Sequence, residues 1–102
     1  MNDNESKVED LMQVPGVGKS VAMDLLKIGI TTVHDLRGKD PETLYELINR
    51  KEGDTQDRCL LYVFRCAVYY ASTKKSAQHP EKLKWWNWTD TRMANNMVEH
   101  EI

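Results

Sequence analysis

Between Val14 and Ser20 the chain reads Val-Pro-Gly-Val-Gly-Lys-Ser, with an apolar helical pattern on either side. Two glycines flank one apolar residue, and the second glycine opens a helix, so several backbone N–H groups point outward from one tight turn. A helix N-terminus leaves its first N–H groups unpaired and carries partial positive charge, which suits a phosphate oxygen. Glycine lets that oxygen come close to the backbone, Lys19 adds a full charge beside the amides, and Val17 packs down between the helices. The candidate phosphate-binding set is therefore Gly16, Val17, Gly18, Lys19 and Ser20. None of these groups reaches a base edge, so the expected binding positions a backbone without reading sequence.

Other chemistries fit less well. Gly18-Lys19-Ser20 ends like a nucleotide-binding P-loop, but that motif needs glycine where Gln13 stands and a preceding strand. Cys59, Cys66, His34 and His79 lack metal-ligand spacing, so no metal is expected. The two cysteines, seven residues apart in an apolar run, read as reduced core residues. No Ser-His-Asp or Cys-His arrangement stands out, and the chain reads as non-catalytic, with no cofactor. Arg65 lies inside the most apolar helix and is expected to form a structural ion pair. Trp85, Trp86 and Trp88 fall within four residues, next to Lys82 and Lys84. They can stack unpaired bases or fold back onto the helices. Burial is the favoured reading, since indole area readily completes a small core, and base contact stays as the alternative.

The elements that position these residues are helical, with no strand in view. A short first helix is expected from about Ser6, capped by Ser6 and Glu9, with Val8, Leu11 and Met12 on one face. The second runs from Gly18 to Ile28, with Val21, Ala22, Leu25 and Leu26 inward and Gly29 as its C-terminal cap. Thr32 and Asp35 cap a brief third helix ending at Gly38. Asp40 and Pro41 open a fourth, with Leu44, Leu47 and Ile48 inward and Gly53 at its close. Asp54 or Thr55 is expected to cap a long central fifth helix. After Ser72 a polar connector leads to the tryptophan segment, residues 83–88, expected to dock on residues 1–90 as one domain. Residues 91–102 read as a frayed tail.

At 102 residues the chain supports one core. The formal net charge of −2 provides no global basic field, so attraction to nucleic acid must be local. Lys7, Lys27, Arg37 and Lys39 are candidate contributors. No leader-like or membrane-spanning stretch is visible, and a cytoplasmic location with no membrane partner is the default expectation.

The arrangement Leu11-x-x-Val14-Pro15-Gly16-Val17-Gly18-x-x-x-Ala22-x-x-Leu25 resembles the helix-hairpin-helix motif of DNA repair and recombination proteins. That resemblance implies an all-α, compact five-helix bundle of helix-hairpin-helix (SAM-like) type with an ordered Trp-rich C-terminal segment. It also implies that Gly16, Val17 and Gly18 amides with Lys19 meet a DNA phosphate. Gly29-Ile30, Asp35-Leu36, Gly38-Lys39-Asp40-Pro41, Asp57-x-Cys59, Phe64-Arg65 and Trp85-Trp86-Asn87-Trp88 are similar to a family of short bacterial proteins of pathogenicity-locus or mitomycin-resistance type.

In double helix-hairpin-helix domains a second hairpin grips an adjacent phosphate. The corresponding turn here, Lys51-Glu52-Gly53-Asp54, lacks the Gly-x-Gly spacing and brings Glu52, Asp54 and Asp57, which repel phosphate. The expectation is thus a non-sequence-specific DNA-binding accessory domain with one competent hairpin, binding at roughly 10⁻⁴ to 10⁻⁵ M. The alternative is a protein-interaction or self-association module on the same helices.

Overall fold

Hydrophobic periodicity and capping chemistry place four α-helices in the computed structural model, which describes residues 3–93. They are α1 (Asp3–Leu11), α2 (Lys19–Lys27), α3 (Pro41–Glu52) and α4 (Arg58–Ser72). Short 3-10 turns at His34–Leu36, Lys75–Ala77, Pro80–Leu83 and Trp85–Trp88 complete the path. Among the described residues there is no strand, and no helix is long and apolar enough to cross a membrane.

The chain makes two packed helix pairs, α1 with α2 and α3 with α4, and α2 also packs on α3. Helix α4 is the centre. It contacts α3, the His34–Leu36 turn and the Pro80–Leu83 and Trp85–Trp88 turns. Its Leu61, Phe64, Cys66 and Ala67 are fully buried, and Leu11, Val14, Ala22, Leu25, Leu36 and Ile48 close around them. Since apolar burial supplies most of the folding free energy, this one cluster unites both pairs.

Caps set the boundaries. Asp40 accepts from the Glu42 amide at 3.2 Å, ahead of Pro41 in the first turn of α3. Gly53 ends that helix in the left-handed region, with the Asp54 and Gly53 amides returning to Asn49 and Arg50 carbonyls. Ile30 and Gly29 close α2 by the same pair of bonds, to Leu25 and Leu26. Thr32 and Asp35 bond reciprocally, each amide to the other's side chain at 3.2 Å.

Several expectations are corrected. Helix α1 already includes Asp3, which leaves Ser6 inside it rather than at an N-cap. The third element is one 3-10 turn. Asp57, not Asp54 or Thr55, caps α4 by accepting from Cys59 N–H at 2.9 Å, and this puts Cys59 in an exposed first turn. Met12 lies beyond the end of α1 and is exposed. Leu47 is exposed too, because α3 buries the stripe Leu44, Tyr45 and Ile48, where the Tyr45 hydroxyl donates to the Gln56 carbonyl.

The connector after α4 is less loose than its composition suggests. Gln78 donates to the carbonyls of Tyr70 and Thr73, and the His79 amide donates to the Tyr69 hydroxyl. Residues 91–93, the start of the tail expected to fray, are helical together with Asp90. The remainder of that tail, residues 94–102, lies outside the described residues.

Candidate nucleic-acid interface

The turn joining α1 to α2 is built from four residues, Val14 to Val17. The Val17 amide donates to the Val14 carbonyl at 3.1 Å, Pro15 occupies the second position, and Gly16 the third at φ +87°. That is the pattern of a type II turn, in which Pro favours the second position and a positive φ restricts the third to glycine. Val14 and Val17 bury their side chains and pin both ends of the turn. Val17 is therefore a structural member of the candidate set: its side chain is buried and its N–H is engaged.

Gly18 is different. It sits at the N-cap of α2 with φ −91°, which any residue adopts, and a Cβ added there meets nothing within 4 Å. Neither backbone geometry nor internal packing explains a glycine here.

The helix end it opens is bare. No side chain caps α2, and no acidic residue stands in its first turn. The first ladder bond runs from Ala22 N–H to the Gly18 carbonyl, and among the described residues the amides of Gly18, Lys19, Ser20 and Val21 meet no acceptor. Lys19 and Ser20 are exposed beside these amides, and no carboxylate among the described residues lies within ion-pair distance of Lys19. Four donors and one ammonium group thus share one helix end, a combination that favours an anion.

The second turn lacks this chemistry. The N-terminus of α4 is already occupied by the Asp57 carboxylate, which the Cys59 N–H holds below the usual carboxylate range. Asp54 accepts from the Thr55 amide at 2.8 Å. Glu52 binds Lys27 at 2.6 Å, and this hydrogen bond raises the lysine pKa. Lys27 is thereby withdrawn from the set of free cations.

The three tryptophans divide. Trp85 is half-buried against the core, and its Cδ1 lies 3.1 Å from where a Gly16 Cβ would stand. Trp88 is half-buried, donates its indole N–H to the Lys82 carbonyl at 2.8 Å, and lies against Tyr69. Trp86 is 54% exposed and meets Trp85 edge to face, 5.9 Å between centroids. Lys84 pairs with Glu81, and Lys82 lies over the Tyr69 ring, so both flanking lysines are engaged locally.

Arg65, 7% exposed, makes the expected ion pair, with Glu42 at 2.6 Å and Asp90 at 3.0 Å. It also donates to the Trp88 carbonyl at 2.8 Å. Asp90 additionally accepts from Arg58 Nε and Nη2, at 2.8 and 3.0 Å, and from the Tyr62 hydroxyl at 3.2 Å. Its carboxyl is consequently held far below the usual range, chiefly by the Arg58 hydrogen bond. The need of Arg65 for a carboxylate was readable from its apolar surroundings; the role of Asp90, 25 residues on, carried no sequence signal.

Among the described residues no group of three His, Cys, Asp or Glu side chains is placed to hold a metal. Burial pushes the Cys66 thiol up to about 11, and the Asp57 carboxylate followed by burial pushes Cys59 up, which disfavours thiolate at either position.

Comparison with known proteins adds two matches. The family model described as "Pathogenicity locus" matches residues 4–94. A curated relative from Streptomyces lavendulae, "Mitomycin resistance protein McrB", is 36% identical over 83 residues, covering 81% of this chain and 73% of its own length. No solved structure matches.

Proposed function

We infer that this chain, which belongs to the Pathogenicity locus family, is a non-catalytic helix-hairpin-helix domain that binds nucleic-acid backbone without reading base sequence. The observation that carries the reading is the uncapped start of α2 beside Gly18, a glycine that nothing inside the protein requires. A phosphate oxygen there would accept from the Gly18, Lys19 and Ser20 amides and lie next to the Lys19 ammonium. Helices α3 and α4 are capped by their own Asp40 and Asp57, so the fold supplies carboxylates where none is needed from outside. With the second turn closed, one hairpin contacts few phosphates, and the binding is weak and strongly salt-dependent. Trp86 supports a further element of this reading: its exposed ring, one aromatic contact beyond Trp85 on Gly16, is available to stack an unpaired base.

Fluorescence anisotropy with single-stranded, duplex and junction DNA at low salt tests the reading. Saturable binding that is indifferent to sequence, with single strands favoured and that preference lost in Trp86→Ala, is the expected result. Absence of binding to every form overturns it.

A second reading, a protein-interaction or self-association module, is favoured by the outward Met12, Met23 and Leu47. Exposed methionines suit adaptable interfaces. Sedimentation of the full chain over a range of concentrations separates the two, since self-association through these residues is abolished by Met12→Lys or Met23→Lys while a DNA-binding monomer sediments unchanged.

A further inference from the structure

We propose that Trp85 is a positioning residue of the hairpin, acting on a bound phosphate through Gly16 without touching it, and that Asp90 is the latch that keeps Trp85 in place. The functional half of this inference rests on the nucleic-acid reading; the structural half stands without it.

Gly16 takes the one conformation in its turn that other residues rarely adopt, φ +87°, and the space its absent side chain leaves is filled by the indole, with Trp85 Cδ1 at 3.1 Å. A β-carbon would be strained on both counts, by backbone conformation and by this contact. The turn itself holds by one backbone bond, Val17 to Val14, and by two buried valines. The ring laid over Gly16 is a third restraint, and it comes from a segment nearly seventy residues further along the chain.

That segment has no α-helix of its own to make it rigid. It is tied to α4 instead. The Trp88 carbonyl accepts from Arg65, the Cys66 Sγ donates to the Lys82 carbonyl at 3.5 Å, and Asp90 closes the end by gathering Arg58, Arg65 and Tyr62. A paired Arg–carboxylate contact with two parallel bonds fixes direction as well as distance. The strap from Pro80 to Asp90 therefore runs from a charge clamp on α4 to an indole on the hairpin. Donors aimed at an anion gain affinity when they are held in place beforehand rather than ordered on binding. Trp85 supplies that order at Gly16, adjacent to the free amides of Gly18 and Lys19.

The test is residue-resolved hydrogen exchange on the full chain, together with anisotropy using a labelled single-stranded oligonucleotide. In Trp85→Ala the Val17 amide is expected to exchange roughly tenfold faster while the Phe64 amide in α4 is unchanged, the signature of local rather than global opening. Oligonucleotide affinity should fall roughly tenfold, about 1.4 kcal/mol, and Trp85→Phe should recover most of both effects. Asp90→Ala, remote from the hairpin, should move Val17 exchange in the same direction; if Trp85→Ala fails to fold, this variant decides alone. Val17 exchange that stays at the wild-type rate in a folded Trp85→Ala or Asp90→Ala protein overturns the inference. A wild-type protein that binds no oligonucleotide overturns the nucleic-acid reading instead, and the exchange rates then decide the structural half.

Discussion

The Arg65 guanidinium lies 2.6 Å from the Glu42 carboxylate, joining the middle of α4 to the first turn of α3. The two partners are unequal, because Arg65 is 7% exposed while Glu42 is 52% exposed. Removing the arginine leaves carboxylates that water can solvate. Removing the carboxylates leaves a buried cation with only the Trp88 carbonyl and the Tyr62 ring. The double variant Glu42→Ala/Asp90→Ala is therefore expected to lose about 3 to 5 kcal/mol, more than Arg65→Met, as measured by urea unfolding.

Acid should weaken the fold from the same region. Asp90, Asp57 and Asp35 all have pKa values lowered from 3.8, chiefly by Arg58, by the Cys59 amide and by the Thr31 amide respectively. A carboxylate depressed in the folded state contributes stability that is complete above its unfolded pKa and is lost as pH falls through the folded one. Asp24, raised mainly by burial, contributes with the opposite sign. Glu81, lowered chiefly by its hydrogen bond from Lys84, adds a fourth depressed carboxylate, and four outweigh one, so the urea midpoint should be flat near neutral pH and decline below about pH 4, as expected when unfolded carboxylates begin to bind protons. The decline should be shallower in Asp90→Asn, which has already lost the group depressed furthest. An equal slope in that variant would remove Asp90 as a contributor.

Phe64 is fully buried at the centre of the shared core, whereas Leu47 is 41% exposed. Phe64→Ala should cost about 3 to 5 kcal/mol by loss of transfer energy and formation of a cavity. Leu47→Ala, although on the face that periodicity suggested was inward, should change stability by no more than about 0.5 kcal/mol. Thermal unfolding of both variants checks the pair.

The contrast between Phe64 and Leu47 marks what the sequence could convey. Helix existence and the centrality of α4 followed from apolar density, and Asp40, Gly29 and Gly53 were readable because a cap acts on its immediate neighbours. Leu47 was not, because the buried stripe of α3 was turned toward Tyr45 by a bond to Gln56 that only the folded loop provides. The cap of α4 was misplaced for a related reason: Asp54, Thr55 and Asp57 all suit the position, and competing bonds to Asn49 and Thr55 decide among them. At the candidate site, the turn at Gly16 and the helix start at Gly18 were local and legible. Trp85 on Gly16 and Asp90 on Arg58 join positions 69 and 32 residues apart, and nothing in either stretch of sequence names its partner.

On the proposed nucleic-acid reading, Gly16 and Gly18 are expected to separate folding from binding. Gly16→Ala meets both a positive φ and the Trp85 ring, so it should lower stability and binding together. Gly18→Ala or Gly18→Val meets open space at an ordinary φ and should fold with its melting temperature nearly intact. If a phosphate approaches that bare backbone, the branched side chain of Gly18→Val blocks it, and DNA affinity should fall in a protein whose stability has not changed. Lys19→Glu reverses a charge at an exposed position while keeping similar helix propensity, and should weaken binding in the same manner. Because a single hairpin reaches about two to four phosphates, the wild-type log affinity should fall against log salt with a slope of roughly −2 to −4, and Lys19→Glu should reduce that slope by about one. Should Gly18→Val and Lys19→Glu both bind DNA as the wild type does, the start of α2 is no anion site, and the hairpin serves only to turn the chain.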